Sequence, residues 1–338
     1  EGLVAIPARN LLVTANEVDL VEDGGVRSHV MIYELQDGDA VYPTLVADDG
    51  DKGLPIGWGA LSGLVADAET PGRLYAVTDS FYGDRPQILV IDATADPARI
   101  TDGLVVTRNG EPASALDLEG IALAEDGGFW LASEGRTDRD IPHAILKVDD
   151  TGAIVEEVSL PEALLANEIR FGFEGVTTIG TGDELTLWMA VQREWEDDPK
   201  GLVKLVAYTP SSGEWGAVHY PLEAAETGWV GLSEITAAGD IVYIVERDNQ
   251  IGSAARIKQL YAVPTASLTP AALGGELPVV EKTLVRDFLP DLQAWNGYVQ
   301  DKVEGFAIDA DGNAFAVTDN DGVDDASGET FFMRLGQL

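Results

Sequence analysis

Four times in this chain a glutamate stands directly before a glycine and an apolar residue, at Glu1-Gly2, Glu119-Gly120, Glu174-Gly175 and Glu304-Gly305. Ser62-Gly63 and Ser233-Glu234 fill the same place in two further copies, with Glu234 where the others carry glycine. Each copy runs on through an apolar stretch to a second oxygen-bearing side chain: Asn16, Asp79, Glu134, Gln192, Glu246 and Asp319. Carboxylates, amides and hydroxyls recurring at one position, with no His or Cys among them, are donors for a hard cation. Ca2+ fits first, and Mg2+ or Mn2+ less well. Glu1, Ser62, Glu119, Glu174, Glu234, Glu304, Asp79 and Asp319 are therefore the candidate metal ligands. Glutamates converging on one point raise one another's pKa, and a bound cation relieves that repulsion. In the alternative reading they tilt outward and accept hydrogen bonds from backbone amides of neighbouring sheets.

The elements that must position these residues follow from the repeat. Taking the glycine, or Glu234, as anchor, the copies begin at positions 2, 63, 120, 175, 234 and 305. That period, slightly above a plain four-stranded blade, predicts an all-β, six-bladed β-propeller of mostly four-stranded antiparallel blades, forming a single domain over residues 1–338. Each phrase supplies two strands, and segments 31–35, 87–92, 144–149, 202–208 and 259–263 supply third ones. After the last phrase only residues 330–335 remain. The last blade is therefore expected to be incomplete, or completed by a strand donated from a precursor segment or another subunit. In a propeller the first strand of each blade lines the channel and the second returns to the same mouth, so the phrase places an inner and an outer ring of oxygen donors at one end. Residues 161–168 have helical spacing, while 19–29 and 265–281 read as loops able to act as lids.

With 59 acidic against 21 basic residues the formal charge is −38, which argues against nucleic-acid partners. No run of 18 apolar residues exists, so membrane insertion is not expected. The chain has no cysteine, which excludes disulfides and thiolate chemistry. It opens in mid-phrase, as a mature or clipped piece of something longer would. No Gly-x-Ser-x-Gly elbow or His-Glu-x-x-His is present, which leaves serine-hydrolase and zincin readings without support.

Scarce cations make their placement informative. Arg136, Arg193 and Arg247 follow the outer-ring positions, and Arg170 and Lys302 precede Glu174 and Glu304. Beside a metal, such residues bind phosphate or carboxylate; equally, each could pair with its neighbouring acid as a structural bridge. Of the histidines, His29 and His143 sit near loops at the mouth and are candidate general bases, although a lone loop histidine is more often a surface residue. Trp58, Trp195, Trp229 and Trp295 flank the phrases and could wall a pocket. The acidic stretch 309–313 reads as a β-turn, and 319–325 as a possible surface calcium loop; the EF-hand pattern is absent, because Asn320 falls where its glutamate belongs.

The phrases Leu118-Glu-Gly-Ile-Ala with Trp130-Leu-Ala-Ser-Glu134, Gly172-Phe-Glu-Gly-Val176, Glu246-Arg-Asp248 and Val303-Glu-Gly-Phe-Ala307 resemble the bacterial phytase-like β-propellers described as having esterase-like activity of phytase. The likeness runs from about Trp58 onward. The opening stretch through Val13-Thr-Ala-Asn-Glu17 is also similar to the end of another secreted propeller type. The resemblance implies an exported protein, a divalent-metal site at the channel mouth and a phosphoester substrate. One departure stands out: the Arg-Asn pair usual before Gly-Phe-Glu-Gly is here separated and inverted as Asn167-Glu-Ile-Arg170. The expected function is metal-dependent binding or hydrolysis of a phosphorylated or anionic small molecule. Glu119, Glu174, Arg247 and His143 would be catalytic, and Arg136, Arg170, Arg193, Arg247 and Lys302 would bind the anion. A non-catalytic cell-surface or matrix module with structural calcium, and a metal-dependent lactonase, are the alternatives.

Overall fold

In the computed structural model the described residues are 2–17, 27–37, 42–50, 52–80, 85–136, 141–294, 299–300, 302–320 and 330–338. They form mostly antiparallel sheets arranged as successive blades. The chain begins with a three-stranded sheet of β1 (Gly2–Ile6), β2 (Leu11–Asn16) and β3 (His29–Glu34). The next sheet has the order β4-β8-β7-β6-β5, from β4 (Leu45–Ala47), β5 (Leu61–Ala66), β6 (Arg73–Thr78), β7 (Gln87–Asp92) and β8 (Ala98–Val105). A short hairpin, β9 (Thr107–Arg108) and β10 (Glu111–Pro112), leads to three four-stranded sheets built in chain order. These are β11 (Leu118–Leu123) to β14 (Ile154–Ser159), β15 (Phe173–Ile179) to β18 (Glu214–Pro221), and β19 (Val230–Ala238) to β22 (Thr283–Asp287). The last sheet is β23 (Val303–Ile308), β24 (Asn313–Thr318) and β25 (Phe332–Gln337). Among the described residues this sheet has three strands, the number expected from the sequence for an incomplete final blade.

Among the described residues the hub closes with five sheets where the sequence predicted six. Innermost strands β5, β11, β15, β19 and β23 pack each against the next, and β23 packs back onto β5. The approach is too close for a side chain: a Cβ on Gly120 would lie 2.6 Å from the Val176 nitrogen, and one on Gly305 2.7 Å from the Ser62 carbonyl oxygen. With β23 seated this tightly on β5, no gap remains for a sixth strand. The β1–β3 sheet carries the same sequence phrase, yet every described residue in it is half-buried or exposed. Leu3, Val30, Ile32 and Leu35 are among its exposed apolar side chains.

Hydrophobic burial follows the same count. Five core clusters lie between adjacent sheets, and the cluster joining first to last contains Leu61, Leu89, Phe315 and Phe332. Strands inside a ring are covered on both faces, which is why β12 (Phe129–Ser133) reads Phe-Trp-Leu-Ala-Ser without polar alternation and is buried throughout. The first and last sheets are also tied by Thr44, whose hydroxyl accepts from the Phe332 amide at 2.8 Å, just before β4 joins β8 in parallel.

The predicted helix over 161–168 is a single turn, α1 (Glu162–Leu165), whose Leu164 is buried. Segment 265–281 is no lid. Ala271 exchanges 3.0 Å backbone hydrogen bonds with Ala217, and His219 bonds Pro278 and Val280, so the segment covers the outer edge of β18. Asp309 organises the turn between β23 and β24 by accepting from Asp311 and Asn313 amides, as a β-turn requires, and it also accepts from Gly72 at 3.0 Å. Most of 19–29, and residues 321–325 of the proposed calcium loop, lie outside the described residues, as do Glu1 and Trp295.

Candidate metal and anion site at the channel mouth

Each inner strand carries a break in register at the phrase residue: Leu61/Leu64, Leu118/Gly120, Phe173/Gly175, Leu232/Glu234 and Val303/Gly305. A β-bulge leaves one residue unpaired and re-aims its side chain. The residues so released are Ser62, Glu119, Glu174, Ser233 and Glu304, the inner ring without Glu1, and all five are buried.

The outer ring differs from the sequence alignment in one blade. Asp79, Glu134, Gln192 and Asp319 each follow the residue paired with the first residue of the inner phrase. In the fourth sheet of the ring Leu232 pairs with Glu246, so the equivalent position is Arg247. Glu246 turns away from the mouth, accepting from Tyr220 at 2.9 Å and Lys282 at 2.6 Å between two blades. Arg247 faces the hub instead, donating to Ser233 Oγ at 2.8 Å and Glu304 Oε1 at 2.7 Å.

One carboxylate oxygen from each of Glu119, Glu174 and Glu304 falls within 4.8 Å of the others, and Asp117, Glu119 and Glu134 form a second such group. Asp117 was missed in the sequence. It stands two residues before Glu119, just ahead of β11, and its Oδ1 accepts from the Ser80 amide at 3.1 Å. Burial and neighbouring carboxylates hold Glu119 and Glu174 well above the ordinary range. Glu134 is pushed up to about 7 by burial, although it accepts from the Gly172 amide at 2.9 Å. Gln192 donates to Glu174 at 2.6 Å.

Glu234 stands outside both groups of converging carboxylates. It fills the hub where the other strands have glycine, accepting from the Leu64 amide at 3.0 Å and the Ile235 amide at 2.9 Å. Here the alternative reading of the acidic phrase residues, as acceptors for backbone amides, is the observed one. Asp79 stays at the outer ring, and buried Asp319 accepts from Lys302 at 3.2 Å. The group is suited to a hard divalent cation, because every donor is oxygen. Ser62 Oγ and Gln192 Oε1 are also buried there without a hydrogen-bond partner among the described residues.

His143 differs from its expected role. Its Nδ1 accepts from the Gly135 amide at 2.7 Å, which leaves Nε2 protonated and donating to the Ile169 carbonyl at 3.0 Å. Both nitrogens are occupied and burial lowers its pKa, so it holds two loops together rather than serving as a base. His29 bonds Asn16 and the Arg27 carbonyl in the β1–β3 sheet, and His219 on β18 pairs at 3.0 Å with Asp198, which lies in a loop of the same sheet. Trp195 packs against Phe173 and His143, and Trp58 against the core between first and last blades. Among the described tryptophans of this set, Trp229 reaches the mouth, its ring lying near Arg193 and Arg247. Arg136 lies 3.9 Å from Asp117, and Arg170 rests over Phe171.

The family described as phytase-like, with esterase-like activity of phytase, matches residues 56–322. The chain belongs to that family. The match begins after β4 and takes in all five inner strands of the ring, leaving out the β1–β3 sheet. Among curated proteins no relative matches. Solved structures resemble the fold at low identity. A Bacteroides ovatus xyloglucan-locus GH43B protein has 12% identity and a TM-score of 0.46 over 82% of this chain and 52% of its own. The Bombyx mori GH32 β-fructofuranosidase BmSUC1 gives 11% and 0.43 over 83% and 61%. The Malassezia sympodialis allergen Mala s 1 gives 13% and 0.40 over 98% and 91%. The chain thus spans only about half the length of the first of these, and the likeness goes no further than the overall fold.

Proposed function

We propose that this phytase-like propeller binds a divalent cation, Ca2+ first, at the channel mouth and there binds and hydrolyses a phosphoester outside the cell. The observation that carries the reading is the meeting of Glu119, Glu174 and Glu304 oxygens within 4.8 Å in a buried setting. Their mutual repulsion makes a cation the natural counterpart. These three would hold the ion, with Ser62 and Gln192 offering neutral oxygens. A cation so held would supply charge to polarise a phosphoryl oxygen and to make water more acidic.

The protein's own groups account for the remainder. Glu134, titrating near neutrality beside Glu174, can hold or release a proton at the mouth. Arg247 holds Glu304 in place through its 2.7 Å bond. Arg193 and Arg170 stand at this mouth beside Phe171 and Trp229, which suits an anionic substrate despite the chain's net charge. No helix among the described residues is long and apolar enough to cross a membrane. The three-stranded last sheet favours the second reading, a binding module that accepts a strand at an open blade edge.

The test is thermal melting and p-nitrophenyl phosphate turnover with chelator and with added calcium. Calcium should raise Tm and turnover together in the parent, and Glu119→Gln should lose both effects. A Tm rise without turnover selects the binding module; no response of either to calcium ends the cation reading.

A further inference from the structure

Alternating arginines and aromatic rings rise from the hub to the rim of the mouth. Arg247 lies 5.4 Å from the Trp229 ring, Arg193 lies 4.9 Å from that same ring and 4.5 Å from the Phe171 ring, and Arg170 lies 5.8 Å from the Phe171 ring. The positions follow from the fold: Phe171 and Trp229 stand just before inner strands β15 and β19, and Arg193 just after β16 (Thr186–Val191), so all converge on one side of the mouth.

The inner end of this ladder is committed to Ser233 and Glu304. Its middle rung is not. Arg193 makes no hydrogen bond or ion pair among the described residues, and its Nε is buried without a partner. In a chain with 59 acidic residues, a half-buried arginine with no carboxylate in hydrogen-bond or ion-pair contact among the described residues is conspicuous, although the charge of Glu194 lies near it. Aromatic rings beside the guanidinium displace water from its faces and leave its edge as the route for bonding. That edge offers parallel N–H donors matched to two oxygens of one anion, and an unpaired charge in such surroundings is unfavourable. Lys302 and Arg136 do not compete for this role, since each already faces an aspartate.

We propose that Arg193, held by Phe171 and Trp229, is the specificity-determining anchor for an anionic oxygen pair on the substrate, with Arg170 as a second contact at the exposed end. This rests on the reading of the mouth as a site for an anionic ester, and it adds which residue selects the anion. Phosphate and carboxylate share the required geometry.

The experiment is calorimetric titration of the full chain with inorganic phosphate and, separately, acetate, each with chelator and with calcium. Parent protein, Arg193→Gln, Arg193→Lys and Trp229→Leu are compared. Phosphate affinity should fall at least tenfold in R193Q and W229L, and R193K should recover only part, because an ammonium cannot present the fork. The calcium-induced Tm rise should be unchanged in R193Q. Loss of phosphate binding alone identifies a phosphoester anchor, and loss of acetate binding as well identifies a general oxyanion anchor. If the parent binds neither anion, or R193Q binds phosphate like the parent, the anchor is overturned even where calcium still stabilises. Arg193-dependent phosphate binding without any calcium response keeps the anchor and removes the cation. Should R193Q not fold, R193K carries the same comparison.

Discussion

Removing the charge of Arg247 tests the electrostatics of the hub most directly. Arg247→Met deletes the 2.7 Å bond to Glu304 Oε1 and the bond to Ser233, and both carboxylate and guanidinium are almost fully buried. Breaking a buried pair from one side leaves an uncompensated charge and costs about 3–5 kcal/mol. With an unfolding entropy of about 2.1 cal/mol/K per residue, a chain of 338 residues loses roughly 0.7 kcal/mol per degree near its midpoint, so Tm should drop by about 4–7 °C in chelator. The same change leaves Glu304 beside Glu119 and Glu174 with one positive charge fewer, so calcium should stabilise R247M more than the parent. Differential scanning calorimetry with chelator and across a calcium series measures both quantities. The double variant R247M/E304Q, which removes the charge on each side, should be less destabilised than the sum of the two single variants. A Tm change below 1 °C for R247M in chelator would refute the reasoning, since it would mean that Glu304 does not need its partner.

Two further outcomes are expected. Glu134 has a folded pKa of about 7, raised above its unfolded value, so the folded state holds more protons between those two values. Its contribution is complete below about pH 4.5 and is lost as pH rises through about 7, with a slope approaching 1.4 kcal/mol per pH unit. Melts in chelator from pH 5 to 8 should show falling stability that Glu134→Gln flattens, and a parent profile that rises with pH contradicts the assignment. Gly120→Ala places a methyl group 2.6 Å from the Val176 nitrogen and 2.7 Å from Gly175 backbone, neither of which can give way. It should lose at least 1–3 kcal/mol by overpacking, whereas Gly57→Ala, which meets nothing within 4 Å, should melt like the parent.

The bulged residues explain why so much of the site was legible. Glu119, Glu174 and Glu304 sit at one place in a repeated phrase, and repetition of sequence forces repetition of local geometry, so their convergence at a propeller mouth followed from the chain itself. Arg247 was legible as basic but not as a ring member, because β20 (Ile241–Asp248) runs further into the mouth than its counterparts and moves the pairing by one residue. Asp117 was passed over because it lies outside the phrase. His143 carried no sequence mark of its two backbone partners, which come from loops at Gly135 and Ile169.

Sequence alone determined that strands would recur, where their turns would fall, and that oxygen donors would line one end of a channel, since these depend on short-range spacing and on the period of side-chain alternation. Tertiary structure decided how many sheets closed the ring and which carboxylate met a cation. Both depend on contacts between residues far apart in the chain: β23 against β5 shuts the circle at five, Glu234 plugs the axis across to Leu64, and Arg247 reaches Glu304 from the neighbouring blade. The first phrase, at β1–β2, has the sequence of a blade but no place at the hub, because closure is a matter of fit between surfaces and not of resemblance between segments.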